Sequence, residues 1–462
     1  MNLTRYIIAA IVTLFIALPC LAQDKVNLQP PLKLTKGQTL FTIQQSMSAS
    51  RVSDAKTREA LKDLQQTRDQ ELTQRIIEMD DKGRPTKIRL TVSGHLTIKG
   101  TLPKEEAFQQ AFHLRAVSLD LVREGGQWTI QTDTITSPEM KALSGAELYI
   151  LRRAVRDALQ AYSRPDLLLM PAEPVAADAK IEPTLGQLAD WTAAANASGR
   201  LEGKATDAKF TLESIKGGVA NVIGTVQLLV PVEKEQARGS VKLGMQIDTA
   251  SGLVTHRTVE VRIEAKVDQQ NVISNVSGME IILANKPPAE EPKTTNALGW
   301  KPVKDTSTWR DVEQGLGLAL PEGYTQRKGQ MGWDVPGGGG SLSIEIRHRD
   351  FMPTMQELLK SGVENLQRPE LKLADIAPQE PFRLADGIPA VIVKATADEG
   401  KTAMLVLLVA DGPRTIAITA AAPKQATDRL AELETVLHSL RLIDATPAPA
   451  SQPAMQKDHG GN

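Results

Sequence analysis

Alternation of apolar and polar residues is the most informative feature of the first half of this chain and favours antiparallel β-structure there. In KIRLTVSGHLTIKG, residues 87–100, the side chains of Ile88, Leu90 and Val92 occupy every second position. Successive side chains of a strand point to opposite faces, so this pattern is typical of a sheet with one buried and one solvated face. The front of the chain is therefore predicted to form such sheets, with turns such as DKGR between the strands.

Two β-rich units are predicted here, over residues 23–182 and 183–284. In the first, a Gly-Gly turn divides HLRAVSLDLVREGGQWTIQTDTI into a hairpin. In the second, FTLESIKGGVANVIGTVQLLVPV and SVKLGMQIDTASGLVTHRTVEVRIEAKV each predict strand, turn and strand. The openings KGQTLFTIQQSMSAS and LGQLADWTAAANASG share a Gly-Gln pair, so the second unit is expected to be a repeat of the first or packed with it. Both are expected to be half-barrel-like antiparallel sheets.

One helix is predicted in the first unit, over ELYILRRAVRDALQAY. Ser137 and Pro138 precede it as an N-terminal cap and a first-turn proline, and Arg164 with Pro165 ends it. Its apolar residues recur at intervals of three to four, which indicates one buried helical face. They are Leu148, Leu151, Val155 and Leu159.

The stretch NKPPAEEPKTTN is rich in proline and charge and predicts a linker over residues 285–298. Residues 299–444 are predicted to be a separate domain that folds alone, and residues 445–462 a disordered tail. In this domain, PTMQELLKSGVENLQ and RLAELETVLHSLRL have helical periodicity. IPAVIVKAT, TAMLVLLVA and RTIAITA predict strands joined by the turns ADEGK and DGP.

The order of segments in this domain resembles the PsbP-like fold. The segments are LALPEGY, a glycine-rich hairpin, an amphipathic helix, DGIPAVIV, TAMLVLLVADG, RTIAITA and a terminal helix ending in HSLRL. That family includes photosystem extrinsic subunits and bacterial envelope proteins related to DcrB, which mostly act as binding or accessory modules. The resemblance implies no catalytic residues. The predicted fold class is α+β, with two antiparallel β-rich, half-barrel-like units followed by a PsbP-like α/β sandwich domain.

Residues 1–22 are predicted to be a secretory signal peptide, because an apolar run too short to span a bilayer comfortably follows MNLTRY. Cleavage is expected between Ala22 and Gln23. The alternative is lipoprotein processing at Cys20, which Pro19 disfavours because a small residue normally precedes the lipidated cysteine. Cleavage at Ala22 would remove the only cysteine and leave no stable membrane span, so the protein is expected to be bacterial and periplasmic or secreted.

The charge balance excludes several partners. Lysine and arginine total 54 against 55 aspartates and glutamates, so no field of one sign is expected to attract nucleic acid or an anionic lipid surface. Aromatic residues make up 3% of the chain, too few to suggest stacking platforms for bases or sugars.

ATADEGKT, residues 395–402, is similar to a phosphate-binding loop, but the segments that flank it do not match those of such a loop. Such a loop lies between a strand and a helix, whereas a β-type run follows this Gly-Lys-Thr. The first glycine of the motif is replaced by Ala395. GGGGSLS at residue 337 lacks the lysine. Both are predicted to be turns, and no nucleotide is expected to bind.

Other motifs are incomplete. SDAK at Ser53 matches Ser-x-x-Lys, but the accompanying Ser-Asp-Asn and Lys-Thr-Gly elements are missing. The histidines show neither HExxH spacing nor a close pair, although distant residues could converge in space. No catalytic, cofactor-binding or metal-binding residues are predicted, and no cofactor is expected. The histidines are His95, His113, His256, His348, His438 and His459.

Paired charges are expected to be solvated, because they stand in turn-like or linker sequence. Arg347 and Arg349 in IRHRD are expected on the solvated side of a strand, with contact to a small anion or a partner as the alternative. The acidic pairs are Asp80 with Asp81, Glu105 with Glu106, and Glu290 with Glu291.

These observations favour an exported, noncatalytic envelope interaction or accessory protein with an unknown envelope partner. The alternative is a carrier of an apolar ligand such as lipid, held by a half-barrel sheet. The sequence leaves open whether the sheet face is exposed or plugged by the helix near Leu148. An enzyme, such as a hydrolase, is the least favoured class.

Overall fold

A computed structural model describes most of the chain between residues 25 and 442. The predicted signal peptide with Ala22 and Gln23, the linker at 285–298 and the tail at 445–462 lie outside the described residues. The described ranges are 25–101, 107–124, 127–137, 143–197, 203–232, 235–267, 269–284, 306–311, 314–328, 330–349, 351–384 and 387–442.

One antiparallel sheet of eleven strands takes up the front of the chain. Its strands follow the order β5-β4-β3-β2-β1-β11-β10-β9-β8-β7-β6. They are β1 Thr39–Asp54, β2 Ala60–Met79, β3 Pro85–Thr101, β4 Phe108–Glu124, β5 Gln127–Thr136, β6 Lys180–Ile181, β7 Lys204–Lys216, β8 Val219–Val232, β9 Glu235–Asp248, β10 Val254–Val267 and β11 Gln270–Ala284.

Strand β1 joins the two predicted β-rich units, because it pairs with β11 from Leu40 opposite Ala284 to Asp54 opposite Gln270. The two units therefore form one continuous sheet. The segments that suggested an internal repeat differ in structure: the first is strand β1, whereas residues 185–197 form a helix. Their shared Gly-Gln pair does not mark a repeated element.

Four helices are described: α1 Gly145–Ser163, α2 Leu185–Ala197, α3 Met355–Leu366 and α4 Thr427–His438. The predicted stripe of α1 is buried, but its predicted start at Ser137 and Pro138 was wrong. The N-cap is Ser144, whose hydroxyl accepts from the Glu147 N–H while the Glu147 carboxylate accepts from the Ser144 N–H. Arg164 ends the helix, as predicted. None of the helices in the described ranges is both long and apolar enough to cross a membrane.

The C-terminal part contains a three-stranded and an eight-stranded antiparallel sheet. The smaller pairs β12 Trp309–Asp311, β13 Leu316–Leu318 and β22 Arg441–Leu442. The larger follows the order β14-β15-β16-β21-β20-β19-β17, with β18 paired to β19. Its strands are β14 Thr325–Gln326, β15 Gly332–Asp334, β16 Ser341–His348, β17 Ala374–Pro378, β18 Phe382–Arg383, β19 Pro389–Ala397, β20 Thr402–Asp411 and β21 Arg414–Pro423.

The largest hydrophobic core is shared between the front sheet and the C-terminal part. It combines Leu90 of β3, Leu151 of α1, Leu407 of β20 and Leu437 of α4. The opposite face of the C-terminal sheet packs against α3, around Leu358. The protein is thus a β-rich α+β protein built mostly of open antiparallel sheets. Half-barrel curvature and independent folding of residues 299–444 stay predictions.

Candidate functional site

A cavity of about 770 Å³ lies on the inner face of the eleven-stranded sheet, which is the face that α1 and α2 cover. Strands β1, β2 and β8–β11 form its floor, and α1, α2 and residues of the C-terminal part close it. Helix α1 packs over β2, β3 and β4, so it covers one end of the inner face and leaves the cavity beside it on the same face. The volume is in the range of small-molecule sites.

Strand register places a polar row at one end of the cavity floor. Arg257 lies opposite Glu280, Glu280 opposite Gln44, and Gln44 opposite Gln70. The Gln44 amide donates to Glu280 Oε1 at 2.7 Å. Four neighbouring strands thus direct polar side chains inward, where a sheet normally buries apolar ones.

Farther along the same strands the floor becomes apolar. Val261 lies opposite both Val241 and Val276, and all three line the cavity. Between the apolar and polar rows, Gly278 leaves space, because a Cβ added there would meet only ordinary contacts beginning at 3.6 Å. Val261 and Val276 are only half-buried. The floor is therefore amphipathic along the strand direction.

Charge is concentrated around this floor. Six arginines and four carboxylates line the cavity, a local positive excess that the balanced charge of the whole chain conceals. Three of the arginines lie within five consecutive residues of α1, next to the apolar stripe that faces the core. The arginines are Arg68, Arg152, Arg153, Arg156, Arg257 and Arg414, and the carboxylates are Asp157, Asp166, Glu280 and Asp411.

Asp411 fixes α1 against the C-terminal sheet. Its carboxylate accepts hydrogen bonds from Arg152 and from Arg414, whose Nε lies 2.9 Å from Oδ2. The next residue, Gly412, has φ +62°, and a Cβ added there would lie 2.4 Å from the Tyr149 ring. The hairpin between β20 and β21 therefore packs closely against the helix and holds its arginines in place.

Asp166 fixes the polar end of the floor to α2. Its Oδ1 accepts from Trp191 Nε1 at 3.0 Å, and its Oδ2 accepts from Arg257 Nε. Burial lowers the pKa of the Arg257 guanidinium, but the charges of Asp166 and Glu280 and the Asp166 hydrogen bond together leave that pKa raised. Arg257 is therefore a neutralised, structural cation.

Asp157 lies near two arginines, Arg68 and Arg153. Arg68 Nη1 is 2.7 Å from Asp157 Oδ2, while Arg68 Nε is buried without a hydrogen-bond acceptor among the described residues. Burial lowers the pKa of Arg68, an effect that Asp157 opposes and the nearby charge of Arg153 strengthens. Arg153 Nη1 donates only a long hydrogen bond, 3.4 Å, to the Tyr149 hydroxyl. No carboxylate in the described ranges lies within ion-pair distance of Arg153.

The predicted turn motifs are confirmed. Residues 398–400 form a short turn between β19 and β20, so Gly-Lys-Thr leads into a strand, and GGGGSLS leads into β16. Ser53 lies at the end of β1, where Asp54 Oδ1 accepts from the backbone N–H groups of Lys56 and Thr57.

The histidines are less isolated than predicted. His95 and His113 lie opposite each other on β3 and β4, and their rings stack with centroids 4.4 Å apart. Sequence spacing could not reveal this pair because it arises across a strand register. Within the described ranges, no group of three or more histidine, cysteine, aspartate or glutamate side chains is placed to hold a metal ion. His459 lies outside those ranges.

Asp81 is exposed, as expected, whereas Asp80 is half-buried in a turn. The Asp80 carboxylate accepts hydrogen bonds from the Lys82 and Arg84 backbone N–H groups and forms an ion pair with Arg84 at 2.7 Å. Arg347 forms an exposed ion pair with Glu345, and the Arg349 guanidinium lies 5.8 Å from the centre of the Phe351 ring. The acidic pairs at 105–106 and 290–291 lie outside the described residues.

The cavity arginines were missed because they come from four separate stretches of the chain. One local signal existed in YILRRAVRD, where three arginines occupy a helix face beside the leucine stripe. Helical spacing of Arg153, Arg156 and Asp157 places them on neighbouring positions of one surface. Their common environment depends on which strands lie beneath the helix.

No family model and no curated protein matches this chain. Among solved structures, the chain is similar to lipovitellin, described by its lipid–protein interactions, with 9% identity over 57% of this chain and 27% of that chain and a TM-score of 0.31. It is also similar to cyanobacterial PsbP from Synechocystis sp. PCC 6803, with 16% identity over 31% of this chain and 97% of that chain and a TM-score of 0.24.

A further similarity is to Ail, the attachment invasion locus protein of Yersinia pestis, with 6% identity over 54% of this chain and 100% of that chain and a TM-score of 0.10. The chain spans about a quarter of the length of lipovitellin. TM-scores this low establish neither a shared fold nor a shared function.

Proposed function

We propose that this protein is an exported, noncatalytic binder or carrier of an apolar or amphipathic ligand such as lipid. The observation that carries the proposal is the cavity of about 770 Å³, whose floor includes the row Val241, Val261 and Val276. Moving apolar surface from water into such a site contributes about 25 cal/mol per Å². Half-buried valines beside an unfilled volume are therefore a favourable surface for an acyl chain.

Native mass spectrometry of the protein purified from its own host tests the proposal directly. We expect a retained mass of lipid size that is lost on delipidation. Copurification of a protein without lipid would instead favour an envelope interaction module, the function that the sequence alone favours. That module stays a prediction, and the cavity makes the ligand binder the better supported of the two.

A substitution that fills the cavity provides a second test. Gly278→Leu adds a side chain on the inner face where no close atom blocks Cβ, so we expect it to reduce acyl-ligand affinity at least tenfold while the fold is kept. Ser277→Leu is the matched control, because the neighbouring side chain is exposed.

Affinity is measured by displacement of a fluorescent acyl probe, together with a thermal melt of each variant. In the wild type, each added methylene should tighten binding about fourfold, since it contributes ~0.8 kcal/mol when buried. Equal affinities of the two leucine variants would show that the ligand binds elsewhere.

A further inference from the structure

The charges around the cavity indicate which kind of amphiphile it would hold, an inference that rests on the proposed function. Asp166 and Asp411 are already engaged by Arg257 and by Arg152 with Arg414. Glu280 accepts from the Gln44 amide. These carboxylates therefore have partners within the protein.

The remaining carboxylate, Asp157, lies near two cations, Arg68 and Arg153. It binds Arg68 at 2.7 Å, and Arg153 stands close enough for its charge to act on both. This group of two guanidiniums and one carboxylate carries a net positive charge next to a cavity. Buried charge is costly unless it is paired, so an anionic oxygen group would be stabilised here.

Two donors at this place lack a strong acceptor. Arg153 contributes a guanidinium whose described hydrogen bond is the 3.4 Å contact to Tyr149, and Arg68 contributes the buried Nε. Guanidinium groups recognise carboxylate and phosphate oxygens in the same forked geometry. The donors therefore favour a carboxylate or phosphate head over a neutral ester or hydroxyl, because hydrogen bonds to a charged acceptor are stronger.

The distance to the apolar row agrees with this arrangement. Arg68 and Gln66 lie two residues apart on β2, about 7 Å along the strand. Gln66 lies opposite Ser48, which lies opposite Val276 in the valine row. Val276 on β11 is also two strands, about 10 Å, across the sheet from β2, and Val261 is one strand farther. A long acyl chain attached to a head at Arg68 and Arg153 therefore reaches the valine row.

We infer that the ligand is an anionic single-chain amphiphile whose carboxylate or phosphate head binds Arg153 and Arg68, with its chain on the valine row. The test compares hexadecanoate, hexadecyl phosphate and methyl hexadecanoate as competitors of a fluorescent acyl probe on the wild-type protein. We expect at least one anionic competitor to bind ten or more times tighter than the ester, the difference typical of a charge-assisted hydrogen bond.

Arg153→Gln should remove this preference and leave the affinity for the ester within twofold. Arg347→Gln, an exposed arginine outside the cavity, is the matched control, and Arg153→Lys should restore part of the preference. Equal wild-type binding of ester and anions would overturn the inference and leave the proposed function intact. Equal weakening of both by Arg153→Gln would also overturn it. If no competitor bound the wild type, the proposed function itself would fail.

Discussion

At the scale of single residues, local hydrogen bonds set the acid sensitivity of the turn between β9 and β10. The Asp248 carboxylate accepts from the Ser251 hydroxyl at 2.5 Å and from the Ala250 N–H at 3.0 Å. The Ser251 hydrogen bond lowers the pKa of Asp248, partial burial opposes this shift, and the backbone hydrogen bonds add to it. The carboxylate therefore stabilises the folded state in its charged form.

Because the folded pKa of Asp248 lies below its unfolded value of about 3.9, this stabilisation is present above pH ~4 and is lost as the pH falls through the folded pKa. We expect Asp248→Asn to lower the free energy of unfolding by ~1 kcal/mol at pH 7 and by much less at pH 2.5. Urea unfolding at both pH values measures this. Asp207→Asn, an exposed control, should change little, and an equal loss at both pH values would contradict the assignment.

At the scale of secondary-structure elements, α1 contributes to both the shared core and the cavity, and both contributions depend on how its N-terminus is capped. One side of the helix buries Leu151 and Val155 in the shared core, and the next side presents Arg153 and Arg156 to the cavity. The capping box of Ser144 and Glu147 satisfies N–H groups that the helix leaves without partners. The cap thus supports both the core and the site.

We expect Ser144→Ala to lower the free energy of unfolding by ~1 kcal/mol, because the hydroxyl acceptor for the Glu147 N–H is lost. Ser163→Ala, at the other end of α1, removes only a 3.5 Å hydrogen bond and should stay within about 0.5 kcal/mol of the wild type. Denaturant unfolding followed by circular dichroism gives both values. Equal losses in the two variants would mean that the cap is not the stabilising feature.

At the scale of the whole molecule, the shared core decides how the two parts depend on each other. Leu407 and Leu437 of the C-terminal part belong to the same core as Leu90 and Leu151 of the front part. Separating the parts exposes this apolar surface to water. The linker predicted at 285–298 therefore joins parts that pack together.

We expect limited proteolysis to cut first within residues 285–298 and after residue 444, with the two fragments staying associated on a sizing column. Residues 299–444 produced alone should melt at a lower temperature than the same part in the intact chain, because the shared core is then incomplete. If the isolated fragment melted cooperatively at the same temperature as this part does in the intact chain, the prediction that residues 299–444 fold independently would be supported.

Much of the fold could be predicted because its determinants are local. Alternation at Ile88, Leu90 and Val92 identified β3, helical spacing identified the buried stripe of α1, and Gly-Lys-Thr was recognised as a turn by the strand that follows it. The start of α1 was misplaced because two serine signals compete, and only the Ser144 hydroxyl has Glu147 three residues after it.

By itself, the sequence determined the strand-rich character of the front part, the helices and the turns, since each depends on residues within one segment. Only the tertiary structure decided that β1 pairs with β11, that His95 stacks on His113, and that Arg68 pairs with Asp157 in the cavity that Arg153 also lines. These pairings depend on strand register and on which faces of the elements pack together. Periodicity shows which face of an element is buried, but it does not identify the side chains that lie across from it.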